Sequence, residues 1–200
     1  MSKKINGKKI RNSIIIFEKK SLNIIYRKMF KNISNITTAT DFLPIINGAI
    51  ITDLIVIFRL IVGQIKSKTL TQWYNDYGLS GILADVLSLV IGVVIASLIY
   101  KYIFTKFNIF SFVFIAVVVQ LIHDLLFATL FYFVPRGKSR ILDTFKDYGN
   151  EHGYVILIAD ALMIISTVLI SSILASLSEK MNVIMFIVLL YLIPYFLYSI

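Results

Sequence analysis

Four aspartates, Asp53, Asp85, Asp124 and Asp160, stand inside apolar runs long enough to cross a lipid bilayer. A carboxyl group near the centre of a membrane helix costs roughly 2.5–3.5 kcal/mol to insert. It is tolerated where it meets a polar partner, a proton or a cation. The chemistry open to this chain is therefore that of buried acids, either hydrogen bonding between helices or the carriage of protons or cations. Asp53, Asp85, Asp124, Asp160, Arg59, His123 and Gln120 are the candidates for one intramembrane polar cluster or ion pathway.

Arg59 is the one strong cation at that depth, and an antiparallel hairpin of the first two spans brings it level with Asp85. An Arg59–Asp85 ion pair is expected. Asp53, six residues before Arg59 and about 240° around the helix, is a poor partner for it. Leu130 stands in the place of Arg59 in the second half, so Asp160 lacks a matching cation. His123 adjoins Asp124 but should point to another face, while Gln120 lies four residues before Asp124, on the same face. With four acids against one arginine and one histidine, some carboxyls must be protonated, hydrogen-bonded or cation-bound. Small residues share the acid faces (Ser88, Gly92 and Ala96 with Asp85; Thr167 and Ser171 with Asp160), as close packing of membrane helices requires.

The elements that carry these residues are membrane helices. Of the 200 residues 58% are hydrophobic, and the mean hydropathy is +0.85, well outside the soluble range. Five spans are expected, near 42–65, 79–102, 107–134, 154–177 and 182–199, each near the ~20 residues that cross hydrocarbon or longer. The fold class is all-α, a polytopic helical bundle. Pro194 is expected to kink the fifth span, and Trp73, Tyr74, Tyr77, Phe145 and Tyr148 are expected as interfacial anchors beside the outer loops.

Sliding the chain by 71 residues sets Asp53 on Asp124 and Asp76-Tyr77-Gly78 on Asp147-Tyr148-Gly149. Four extra residues around 150–153 then shift the offset to 75, which sets Ala84-Asp85 on Ala159-Asp160. Each Asp-Tyr-Gly reads as a turn leading into the next long helix. The expectation is a parallel two-helix tandem repeat, 42–106 and 107–178, followed by an extra C-terminal helix at 179–200. The copies should be related by a pseudo-two-fold axis along the membrane normal.

Residues 1–41 hold Lys3, Lys4, Lys8, Lys9, Arg11, Lys19, Lys20, Arg27, Lys28 and Lys31, half of the twenty cations in a chain of net charge +9. Ile10, Ile14, Phe17, Ile24 and Ile25 recur among them at helical spacing. This reads as a basic amphipathic tail bound to anionic lipid headgroups; nucleic acid is disfavoured because no aromatic platform or binding motif accompanies the charge. No cleavable signal peptide is expected. Counting Lys101, Lys106 and Lys180 with the tail against Lys66, Lys68, Arg136, Lys138, Arg140 and Lys146 favours a cytoplasmic N-terminus.

The chain has no cysteine, which excludes disulfides, thiolate catalysis and Cys-ligated metal. No HExxH, P-loop or dinucleotide-binding glycine pattern occurs. No metal, cofactor or catalytic residue is assigned, and the chain is read as not an enzyme. Gly78-Leu79-Ser80-Gly81 resembles the GxSG string of rhomboid-type intramembrane proteases, with His152 at the same level as base. The resemblance covers four residues, and this chain departs from that family in its span count and in the place of the histidine. Abundant Ile, Lys and Asn point to an AT-rich genome, viral or organellar. The leading reading is a structural or assembly component of a membrane held together by buried aspartates. A proton- or cation-conducting channel or transporter is the alternative, and an intramembrane serine protease a distant third. Partners are the lipid bilayer and, through the fifth helix, a second copy or another membrane protein.

Overall fold

The computed structural model describes residues 29–200. They form seven α-helices and no strand: α1 Phe42–Ile61, α2 Lys68–Tyr77, α3 Leu79–Ile103, α4 Ile109–Phe133, α5 Arg140–His152, α6 Val155–Leu174 and α7 Glu179–Leu197. Five of them, all but α2 and α5, are long and apolar enough to span a membrane. The five expected spans are therefore present. The first is shorter than expected, because α1 stops at Ile61 and Gly63 turns the chain with φ 73°. The other two helices, α2 and α5, replace what the sequence presented as loops.

Local chemistry sets the boundaries. Ser67 Oγ accepts from Leu70 N at 3.0 Å to start α2, Asn108 Oδ1 accepts from Phe110 N at 2.9 Å to start α4, and Ser178 caps α7. These side chains meet amides that a helix N-terminus leaves without partners. Asp41 Oδ2 gathers Thr37 N and Thr38 N, both at 2.8 Å, in the 3-10 turn before α1. The Tyr100 hydroxyl pins the α3–α4 turn, donating to Lys106 O at 2.9 Å and accepting from Asn108 N at 2.8 Å.

Two glycines make the sharp passages into the long helices. Gly78 has φ 52° between α2 and α3, and Gly153 has φ 55° between α5 and α6. Residues with a Cβ avoid this region. The second passage corrects the expected Asp147-Tyr148-Gly149 turn: that tripeptide lies inside α5, and the four additional residues carry the helix onward to Gly153. Pro194 sits in the last turn of α7, which continues helical to Leu197.

Four long helices close a ring, α1 against α3, α3 against α4, α4 against α6 and α6 against α1, with α3 and α6 also touching across it. The fifth, α7, packs outside the ring on α1. Ile57, Ala49, Val93, Ala96, Phe112, Ala116, Ile164 and Val168 fill the interior. Helix α1 meets α6 closely enough that a methyl on Gly48 would collide with Ser171 Oγ and lie 3.0 Å from Thr167 O. At the ring end opposite α2 and α5, Ile33 and Ser34 are buried, Lys31 N donates to Ser172 O, and the Ser172 hydroxyl donates to Lys31 O. Asn47 Nδ2 donates to Asn182 O at 2.9 Å and ties α7 to α1 at that same end.

Candidate functional site

The short helices α2 and α5 pair antiparallel across one end of the ring. The start of α2 meets the end of α5, and the end of α2 meets the start of α5. Glu151 Oε1 accepts from Lys68 N and Oε2 from Thr69 N, each at 2.8 Å, and Thr69 Oγ1 also donates to this carboxylate. His152 Nε2 sits 2.8 Å from Ser67 Oγ. At the other end Arg140 pairs with Asp76 at 3.0 Å, and the Tyr77 and Thr144 hydroxyls bond at 3.0 Å. Partial burial works to raise the Glu151 carboxyl, but the bonds from Thr69 and Lys68 outweigh it and hold it down at about 2. The bond from Arg140 likewise lowers Asp76.

Beneath this cover lie the acids. Trp73 and Tyr74, expected as interfacial anchors, instead face inward and are 5% and 2% exposed. Trp73 Nε1 donates to Asp85 Oδ2 at 2.9 Å, and the Tyr74 hydroxyl donates to Asp53 Oδ1 at 2.9 Å. The reason is that α2 is amphipathic and lays its aromatic face on the bundle, with Trp73 against Tyr77 and Phe145. Adjacent residues on α2 thus reach acids on two different long helices, α1 and α3.

The expected Arg59–Asp85 pair is not formed. Because α1 ends at Ile61, Arg59 lies in its last turn, where the exposed guanidinium reaches Gln64 Oε1 at 3.3 Å. A cation there complements the helix dipole and reaches the interface, so it has no need of a buried partner. Trp73 fills the acceptor on Asp85 instead. The earlier end of α1 also places Asp53 eight residues, ~12 Å, below that terminus, shallower than an end at residue 65 implied.

Asp124 is met within its own helix. Gln120 Nε2 donates to its Oδ1 at 2.7 Å, as i, i+4 spacing predicts, and His123 Nδ1 lies 3.2 Å from the same oxygen. His123, expected on another face, folds its ring back to the neighbouring acid. Asp160 makes no hydrogen bond with a described residue, but Asp124 and Asp85 lie within its electrostatic reach. Tyr148 of α5 faces this part of the seam: burial, then the charges of Asp160, Asp85 and Glu151, push its hydroxyl up to about 12. Among the described residues, Asp53, Asp85 and Asp160 have no cationic partner, and no group of three or more His, Asp or Glu side chains is placed to hold a metal ion. Of the four seam acids, Asp53 and Asp124 each keep one buried carboxylate oxygen, Oδ2, with no hydrogen bond from a described residue.

His152 is engaged with Ser67 rather than Ser80. Of the tail cations, Lys31 is described and exposed; the rest, Lys3 to Lys28, and the expected amphipathic helix lie outside the described residues. Glu151, Ser67, Trp73 and Tyr74 were missed as site residues. The signals present were a serine three residues before an apolar position, and adjacent aromatic donors one helix away from paired acids. No protein-family model, curated protein or solved structure matches this chain.

Proposed function

We propose that this chain is a structural or assembly component of a membrane, without enzymatic activity, whose seam aspartates hold a duplicated bundle together. One observation carries the reading: Asp53 and Asp85 accept hydrogen bonds from Tyr74 and Trp73 and so fasten the covering helix to two long helices at once. Two further side-chain bonds join helix to helix, from Thr167 on α6 to Thr52 on α1 at 3.1 Å and from Asn47 on α1 to Asn182 on α7. Duplication is supported by the long–short–long order of each half, by the serine caps Ser67 and Ser139, and by the paired glycines Gly78 and Gly153. The antiparallel pairing of α2 with α5 is what a two-fold axis along the bundle would give. In this reading the tail binds anionic headgroups from the cytoplasmic side, and the outer face of α7 takes a second copy or another membrane protein.

A second reading, a proton or cation pathway, is favoured by Asp124 and Asp160, which bond to no other helix. Reconstitution into liposomes with pH- and ion-flux measurement separates the two. The structural reading expects no flux above that of empty vesicles, and folded protein for Asp124→Asn and Asp160→Asn. Flux that disappears in those variants while they remain folded would replace it with the pathway.

A further inference from the structure

We propose that the pocket between the ends of α2 and α7 takes an ammonium phosphodiester, the chemistry of a phosphocholine headgroup, with the ammonium held by Asp76 and Tyr198 and the phosphate by Arg140. The site is separate from the seam acids and from the basic tail. It stands whether the bundle is an assembly component or an ion pathway.

The pocket has a volume of about 250 Å³ and is lined by Asp76, Tyr77 and Gly78 on one side and by Leu197 and Tyr198 on the other. The two sides touch, since a Cβ on Gly78 would lie 3.9 Å from Leu197 Cδ2. One spanning helix, α3, begins at Leu79 beside it, and another, α7, ends at Leu197. The pocket therefore opens at the level where hydrocarbon gives way to headgroups. Sites for drug-sized ligands run to roughly 300–1,000 Å³, so this one is of headgroup size.

Its charges are of both signs. Asp76 Oδ2 accepts from Gln72 Nε2 at 3.2 Å and pairs with Arg140 at 3.0 Å, which leaves Oδ1 with no bond from a described residue. The bond from Arg140 lowers the Asp76 carboxyl and keeps it ionised. The Arg140 guanidinium lies 5.4 Å from the centre of the Tyr77 ring, and the side chain is 70% exposed, so it keeps donors for a phosphate. The Tyr198 ring is 86% exposed and makes no hydrogen bond or ring contact with a described residue. An aromatic face beside a carboxylate is what a quaternary ammonium binds. A neighbouring carboxylate and guanidinium thus present the reverse of a zwitterion's own two charges.

Trp73, the chain's only tryptophan, has its ring centre 4.7 Å from that of Tyr77 and reports occupancy. Its emission should be titrated on the full chain in maltoside micelles with dioleoylphosphatidylcholine and, separately, dioleoylphosphatidylglycerol. A saturable change is expected with phosphatidylcholine, at a half-saturation about five-fold or more below that of phosphatidylglycerol, which has the phosphate without the ammonium. Tyr198→Leu and Asp76→Asn should each weaken phosphatidylcholine by about two- to five-fold, the worth of one exposed cation–π contact or ion pair. Tyr198→Phe keeps an aromatic face and should bind as wild type does. Because the Tyr198 side chain bonds to nothing described, these two variants decide the matter even if Asp76→Asn unfolds. Choline alone should compete about five-fold less well than glycerophosphocholine. Equal response to the two lipids, wild-type binding by Tyr198→Leu, or equal competition by choline and glycerophosphocholine would each overturn the site. One phosphatidylcholine retained per chain in native mass spectrometry supports the bilayer as the source. Glycerophosphocholine binding to protein that retains no lipid supports the same chemistry from a free headgroup.

Discussion

Removing the Glu151 carboxylate should release the start of α2 and with it the cover over the acids. The carboxylate satisfies two of the backbone N–H groups that open the helix, at 2.8 Å each, and the Thr69 hydroxyl besides. Loss of a helix cap costs about 0.5–2 kcal/mol, and a hydrogen bond to a charged group contributes roughly 1.5–3 kcal/mol. The side chain is 28% exposed, so water takes back part of what is lost. For Glu151→Ala the expectation is about 2 kcal/mol, a factor of up to ~30 in the opening of α2. Glu151→Gln keeps an acceptor without its charge and should cost about half as much. Trp73 lies one turn beyond Thr69 and is 5% exposed, so aqueous quenching of its emission and hydrogen exchange along α2 both read the opening. Acid adds a second arm. The folded carboxyl is held at about 2 against an ordinary 4.5, so its stabilisation is complete above about pH 4.5 and fades as pH falls toward 2. Wild-type quenching should rise through that window while Glu151→Ala stays flat. If exchange and quenching in Glu151→Ala match wild type at neutral pH, the carboxylate does not hold α2 and the reasoning fails.

Gly48→Ala should destabilise the bundle by about 1–3 kcal/mol, the usual cost of overpacking, because two of the three atoms it meets are backbone of α6. Unfolding in mixed micelles measures this, and Ser171→Gly in the same background should recover only part of it. Arg59→Gln should change stability by less than about 0.5 kcal/mol, since the guanidinium is exposed and, among the described residues, bonded only to Gln64. A loss of several kcal/mol in the same assay would mean that a buried acid depends on it.

The five spans were legible because twenty or so apolar residues in a row leave few alternatives to a membrane helix, and their ends fell within a few residues where Asn108 or Ser178 supplied a cap. The short helices were not legible. The α2 sequence, KTLTQWYNDY, is polar on average and holds together by laying Trp73 and Tyr74 on the bundle, a tertiary effect that local propensity does not carry. The same blindness misplaced Arg59: apolar residues continue to Ile65, but Gly63 in a left-handed conformation ends the helix before them. The Asp124–Gln120 bond was legible, because i, i+4 spacing within one helix fixes it. The partners of Asp53 and Asp85 were not, because they come from a helix that the sequence presented as a loop.

Paired positions in the sequence do not make paired roles. In the first half of the chain, α2 ends at Tyr77, and its final turns set Trp73 and Tyr74 on Asp85 and Asp53. In the second half, the additional residues before Gly153 carry α5 a further turn, so its aromatic residues arrive in a different register. Tyr148 lies near Asp160 without bonding it, and Asp124 turns to its own helix for Gln120 and His123. Asp53 and Asp85 are thus bonded to the covering helix, whereas Asp124 and Asp160 bond to no other described helix.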